Sequence, residues 1–211
     1  MQTRERTQTR RTRPIVARVR HPFGGGVDGN DHLTALTGAV LLLLLAVEGG
    51  TIPFLGALLT VHIFVGLLLL GPVALKLAST GYRFLRYYGG TPAYVHRGPP
   101  TAVMRVIVAP VLVLSTLTLF GTGVGLVVVG HGGGLMSGLH KASFIVWFGA
   151  MAIHVLIYTT RALSHSAGDF GRRRLRGAGI RLTLLFGALA LGVVIALVTM
   201  SLSGHFQHWD N

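Results

Sequence analysis

Long apolar runs alternate along the chain with short breaks rich in glycine, proline and charged residues. The runs cover about 32–50, 52–78, 103–130, 138–162 and 180–203. An α-helix rises about 1.5 Å per residue, so roughly 20 apolar residues are enough to cross the hydrocarbon core of a bilayer. Each run is close to or above that length. The pattern therefore predicts an all-α membrane protein built as a bundle of five transmembrane helices.

The composition agrees with this class and narrows the chemistry. The chain is 51% hydrophobic and only 12% charged, about half the share of charge found in soluble domains. It contains no cysteine, which excludes disulfides, thiolate zinc sites, iron–sulfur ligation and thioether-linked haem. Only six residues are acidic, which argues against a hydrolase with paired carboxylates.

The basic residues predict how the helices are oriented. Of the 19 lysines and arginines, all but Lys141 fall in the N-terminal tail or in and around the second and fourth connections between spans. Cytoplasmic loops carry the excess of Lys and Arg. The N-terminus is therefore predicted to be cytoplasmic and the C-terminus to be outside a bacterial cytoplasmic membrane. The basic residues behind the net charge of +13 are therefore expected to orient the helices in the membrane and to contact anionic lipid. No nucleic-acid partner is expected.

The same pattern divides the chain into three parts. Residues 1–31 are expected to form a basic, disordered cytoplasmic tail, because they carry seven arginines, Pro14 and Pro22 but no apolar run. Residues 32–203 form the predicted transmembrane domain. Residues 204–211 form a short extracytoplasmic tail.

Three histidines fall inside the predicted spans: His62, His140 and His154. His140 and His154 are fourteen residues apart, which places them on nearly the same helix face and roughly 21 Å apart. An ionisable side chain in the hydrocarbon core needs a partner or a cofactor. Imidazole suits iron, and facing helices of a bundle commonly hold a haem. A four-helix haem-binding core with these histidines as candidate iron ligands is therefore predicted.

Three neighbouring residues fit the same hypothesis. Gly66 follows His62 by four residues and shares its face, so it removes a side chain where a porphyrin ring has to approach. Arg161 lies beyond His154, near the inner surface, and Lys141 lies beside His140, near the outer one. Each is a candidate to bind a haem propionate.

The segment 139–154, which begins Leu-His-Lys-Ala-Ser-Phe-Ile-Val-Trp-Phe and ends at His154, resembles the paired-histidine helix of bacterial cytochrome b-type, haem-binding membrane subunits. In that group two parallel helices each carry two histidines, and haems lie between them. The resemblance implies that His62 and His140 bind an outer haem b. It also implies an inner pair of histidines, but this chain has Lys76 where the partner of His154 is expected.

Three arrangements remain open from the sequence, with either one or two haems per chain. The first has a single outer haem, the second adds an inner haem held by Lys76 and His154, and the third pairs His62 with His154. A lysine ligand is the least favoured, because its ammonium group has to lose a proton before it can bind iron.

The expected function is transfer of electrons within or across the membrane. The chain would serve as a subunit or anchor for a redox partner protein, or in contact with a quinone, within a larger complex or a homo-oligomer. Whether the chain is itself an enzyme stays open, since it carries no flavin or nicotinamide motif. Two other functions also remain: a non-haem transporter or proton relay through His62, His154, Lys76 and Glu48, and a structural assembly subunit whose histidines bond between helices.

Overall fold

A computed structural model describes residues 26–99, 101–129, 134–165 and 177–202, with side chains in the fourth long helix described as far as residue 158. The described residues are almost all helical and include no strand. The helices are α1 (Gly26–Thr51), α2 (Leu55–Tyr88), α3 (Pro92–His96), α4 (Ala109–Val129), α5 (Leu135–His165) and α6 (Ala178–Leu202). A 3-10 turn, Ile52–Phe54, joins α1 to α2, and a π-helical turn, Met104–Val108, leads into α4. Residues 1–25 and 204–211, which make up most of the two predicted tails, lie outside this description.

Four helical stretches of the described chain are long and apolar enough to cross a membrane: Gly26–Tyr88, Met104–Val129, Leu135–Tyr158 and Ala178–Ser201. Large apolar side chains point away from the bundle, with Leu43 72% exposed and Ile145 70% exposed. An outward apolar surface of this extent suits hydrocarbon and not water. The predicted all-helical class and multi-pass membrane character are therefore confirmed.

The first stretch, 63 residues long, folds back on itself at the 3-10 turn. The Asn30 side chain donates to the Ser79 carbonyl at 3.2 Å, and the Lys76 Nζ donates to the Thr34 carbonyl at 2.6 Å. These bonds join the beginning of α1 to the second half of α2. The two helices therefore form an antiparallel hairpin, and each is longer than about 20 residues.

Helix α1 begins at Gly26, not at the predicted residue 32. The polar residues of its first turns are helical because they have partners near the end of α2 and beyond α3. Asp31 Oδ1 lies 2.9 Å from Arg83 Nη1, and Asp28 Oδ1 lies 3.0 Å from Arg97 Nη2. Hydropathy alone places these residues outside the span, since it does not register paired charges at a helix end.

Helix α6 packs against α2 by direct contact of the two backbones. A Cβ atom on Gly71 would overlap the Ala188 carbonyl, and a Cβ atom on Gly192 would overlap the Leu68 carbonyl. Small residues permit such close approach between membrane helices. Helices α4 and α5 pack mainly on each other. The bundle therefore consists of two groups, α1–α2–α6 and α4–α5.

The two groups meet around an apolar core and at one shared end. Leu41, Val65 and Leu69 are buried together, and Phe120 of α4 packs against them. The end at which α1 turns into α2, and at which α4 ends and α5 begins, is called the turn end below. The opposite end, which carries α3 and the Arg83 and Arg97 ion pairs, is called the basic end.

Candidate functional site

A cavity of about 800 Å³ lies between α1, α2, α4 and α5, close to the turn end. This volume is within the range of sites that bind small molecules and cofactors. The walls are mostly apolar and include Leu45, Leu59, Leu67, Phe120, Val124, Phe144, Trp147 and Phe148. The polar side chains on the walls are few: Glu48, His62, Ser137, His140 and Lys141. Two imidazoles from opposite groups of helices thus share one apolar chamber.

His62 projects from α2 and is held through its Nδ1 atom. This nitrogen lies 3.0 Å from Glu48 Oε1 and 2.8 Å from Thr51 Oγ1. The Thr51 hydroxyl donates its proton to the Glu48 carbonyl, so its oxygen is free to accept from the ring. Two acceptors around Nδ1 favour the tautomer with its proton on Nδ1, which leaves a lone pair on Nε2.

His140 projects from α5 and is held in the same manner by α4. Its Nδ1 lies 3.1 Å from the Leu119 carbonyl oxygen and 3.1 Å from Thr122 Oγ1. A carbonyl oxygen can only accept, so Nδ1 is the nitrogen that carries the proton. The Thr122 hydroxyl donates to the Thr118 carbonyl at 2.7 Å. The lone pair of His140 is therefore also on Nε2.

The two histidine rings, on opposite sides of the cavity, are thus both held by hydrogen bonds at Nδ1. Both rings are half-buried. Within the described residues, neither Nε2 atom makes a hydrogen bond. Histidines that bind metals characteristically donate their other ring nitrogen to a carboxylate or a backbone carbonyl, which fixes the tautomer and the ring orientation. His62 has the carboxylate form of this arrangement and His140 the carbonyl form.

Two glycines make room for these contacts. A Cβ atom on Gly123 would lie 3.1 Å from His140 Cε1, and a Cβ atom on Gly66 would lie 3.2 Å from Glu48 Oε1. Gly66 lines the cavity. The space beside Gly66 is, however, occupied by the carboxylate of Glu48, which is hydrogen-bonded to His62. Helical spacing alone does not reveal this contact.

The third predicted ligand, His154, lies elsewhere. It does not line the cavity, and its ring centroid lies 4.7 Å from that of Tyr158. Lys76 is also absent from the walls, because its amine donates to the Thr34 carbonyl between α1 and α2. The structure therefore brings together His62, His140, Gly66 and Lys141, and it leaves His154 out. Arg161 belongs to α5, and its side chain lies outside the described part of the chain.

Several residues of the site are missed by reasoning from the sequence. They are Thr51, Thr122, Gly123 and the carbonyl of Leu119. Glu48 stands out as the acidic residue near a span, and the relay alternative groups it with His62, but the sequence does not reveal the direct contact between the two side chains. Glycines at every second position, Gly121, Gly123 and Gly125, are the one visible signal that α4 presents open backbone to a neighbour.

In the part of the chain that the structure describes, no group of three or more His, Cys, Asp or Glu side chains is placed to hold a metal ion. The site offers two imidazoles and one carboxylate, and the carboxylate is bonded to one of the imidazoles. Comparisons with protein-family models, with curated proteins and with solved structures found no match for this chain.

Proposed function

We propose that the chain is a b-type haem protein that transfers electrons in the bacterial cytoplasmic membrane, with His62 and His140 as the residues that would hold the iron of one haem. The observation that carries the proposal is that the two imidazoles share the same orientation and hydrogen-bonding pattern. Both face one apolar cavity, both are fixed through Nδ1, and both retain the Nε2 lone pair.

The donor set and the walls fit a haem better than a free metal ion. A porphyrin would supply four nitrogens to the iron, so the protein would have to add only two further ligands. A free metal ion would need three or more ligands from the protein. The apolar walls match the macrocycle, and the absence of cysteine is consistent with a haem bound without a covalent link.

Each residue has a distinct task in this proposal. His62 and His140 would hold the iron from α2 and α5, and the haem would supply one-electron oxidation and reduction there. Trp147 and the other apolar wall residues exclude water. Lys141 is an exposed cation at the edge of the cavity and is suited to a propionate. The substrate chemistry belongs to a redox partner protein or a quinone.

We further propose five membrane crossings, with the N-terminus in the cytoplasm. The antiparallel hairpin of α1 and α2 supports this count, since each helix alone is long enough to cross. The described basic side chains near the ends of spans support the orientation. Arg83, Arg97 and Arg105 lie towards the basic end and Lys141 towards the turn end, as expected if the basic end is cytoplasmic. The haem then lies towards the outer surface.

A proton relay is less well supported by the packing. Glu48, Thr51 and His62 form one polar group towards the turn end, and Thr34 and Lys76 belong to another towards the basic end. The buried side chains of Leu41, Val65 and Leu69 lie between these two groups. A relay requires hydrogen-bonding groups in sequence, and this apolar cluster interrupts them.

The deciding experiment is the visible spectrum of the detergent-purified full-length protein, oxidised and then reduced with dithionite, together with a pyridine haemochrome assay. We expect about one haem per chain and a sharp α band on reduction. His62→Ala and His140→Ala should each lose the haem. His154→Ala is the matched control, because it removes an imidazole from the same helix as His140 without touching the cavity, and it should keep a full complement.

Three results would contradict the proposal. A protein that stays colourless after expression with added haem would exclude the haem function, and the transporter and the assembly subunit would be the remaining candidates. Loss of haem from His154→Ala with retention in His140→Ala would instead favour pairing of His62 with His154. A ratio near two haems per chain would require a second site that includes Lys76 or another ligand.

A further inference from the structure

The two imidazoles differ in the chemistry of the group that accepts their Nδ1 proton. His140 donates to a neutral backbone carbonyl, that of Leu119, whereas His62 has the carboxylate of Glu48 at 3.0 Å. The second-layer partner of a ligating histidine alters the basicity of the ring and hence the properties of the metal. The two sides of the cavity are thus unequal although the ligands are identical.

We infer that Glu48 is a positioning residue that lowers the reduction potential of the haem by acting through His62. This inference rests on the proposed function, because it requires iron at His62 Nε2. A carboxylate that accepts the Nδ1 proton increases the negative character of the imidazole, most strongly when the carboxylate carries its charge. A more electron-rich ligand, with a negative charge close behind it, stabilises ferric iron relative to ferrous iron.

Among the described residues, the carboxylate of Glu48 has its polar contact with His62. Oε1 is 3.0 Å from His62 Nδ1, and Oε2 is buried without a hydrogen-bond partner in the described part of the chain. The Thr51 hydroxyl donates to the backbone carbonyl of Glu48 and not to its side chain. Among the described residues, no other polar group competes with the imidazole of His62 for this carboxylate.

A glycine on α2 leaves space for the contact between Glu48 and His62. Gly66 lies on α2 one turn after His62, and a side chain there would meet Glu48 Oε1 at 3.2 Å. Helix α1 supplies Glu48 close to its C-terminal end, immediately before the turn into α2. The carboxylate is therefore held between two consecutive helices of one hairpin and does not depend on the position of α5. The tuning group belongs to the same rigid unit as the ligand that it tunes.

The test is a redox titration of the full-length haem-loaded protein at one fixed alkaline pH, which favours the ionised carboxylate, comparing the wild type with Glu48→Gln. Glutamine keeps the size of the side chain and an oxygen that can accept from Nδ1, but it removes the charge. The equilibrium constant for reduction should increase at least tenfold, which for a one-electron couple is a rise of about 59 mV in midpoint potential. Haem content should stay near that of the wild type, because His62 itself is unchanged.

The matched control is Asp31→Asn. It also removes one carboxylate from α1, and it lies seventeen positions earlier, roughly 25 Å along the helix. Its carboxylate pairs with Arg83 and Arg97 at the basic end. The midpoint potential of this variant should equal that of the wild type, so a shift common to both variants would reflect overall charge and would overturn the inference.

The remaining outcomes separate this inference from the proposed function. A wild-type protein without haem overturns both. Haem in the wild type with an unchanged potential in Glu48→Gln overturns the inference alone. If Glu48→Gln loses its haem, Glu48→Asp is titrated in its place, since the shorter side chain withdraws the carboxylate from Nδ1 and should raise the potential in the same direction. Loss of haem from both variants would make Glu48 a structural residue and would also overturn the inference.

Discussion

The contact between α2 and α6 allows a quantitative test of how the wall that carries His62 is held in place. Substituting Gly192 with alanine adds one methyl group where the carbonyl of Leu68 already lies against the α6 backbone. Because the obstacle is backbone and not a flexible side chain, the helices have to separate. Overpacking of this kind costs about 1–3 kcal/mol. Alanine also favours the helix over glycine by about 1 kcal/mol, which partly offsets that cost.

Gly187→Ala is the matched control, because it lies on the same helix and a Cβ atom there meets nothing within 4 Å. It should show only the gain in helix propensity. The two variants should therefore differ in free energy of unfolding by about 1–3 kcal/mol, which is roughly one to two powers of ten in the unfolding equilibrium constant. Titration of the folded protein with SDS in mixed micelles measures this difference.

A double substitution of Gly71 and Gly192 extends the test. Both residues belong to one helix crossing, so once the helices have separated for one methyl group the second should cost less than it does alone. Equal stability of Gly192→Ala and Gly187→Ala would refute the close contact between α2 and α6. Full additivity of the two substitutions would refute the view that they act at one crossing.

Two further predictions concern the cavity and its surroundings. Gly123→Val should reduce haem content severalfold, because the added side chain displaces the ring of His140 from its carbonyl partner. Gly121→Val is the control and should keep its haem, since a Cβ atom there meets nothing within 4 Å. Pyridine haemochrome assays measure the haem content of both variants. Lys76→Met should leave the reduced spectrum and the haem content unchanged, because the amine of Lys76 bonds to the Thr34 carbonyl away from the cavity, and an altered spectrum would show that lysine is a ligand.

The long helices are predictable from the sequence because hydrocarbon imposes a simple rule on them. A segment that crosses a bilayer has to satisfy its backbone internally and present apolar side chains, so apolar runs and helices coincide. Helices α4 and α6 accordingly end within a residue or two of the predicted bounds. Helix α2 extends to Tyr88, ten residues beyond its apolar run, because a helix that leaves the hydrocarbon needs no further hydrophobicity to continue.

The site is only partly predictable, for a physical reason. Helical spacing identifies His62 and His140 as side chains that need a partner in the membrane. It cannot supply the partner of Nδ1, because a hydrogen bond between residues 18 or 21 positions apart, as in the contacts of His140, depends on how two helices rotate against each other. Helical spacing alone does not separate His154 and Lys76 from the other two residues, and only the chemistry of lysine as a ligand counts against Lys76. Packing places Lys76 between α1 and α2, where its amine donates to the Thr34 carbonyl.

The division of the bundle into two groups has a consequence for the order in which the protein is built. Helices emerge during synthesis in the order of the chain, so α1, α2, α4 and α5 are all in place before α6 appears. Yet α6 is the helix that contacts the α2 backbone at Gly71. The helices that line the cavity are therefore all synthesised before the helix that supports α2. A nascent chain that has not reached α6 exposes the surface of α2 that this helix later covers. Helix α6 therefore supports α2 from outside the cavity and supplies none of its described walls.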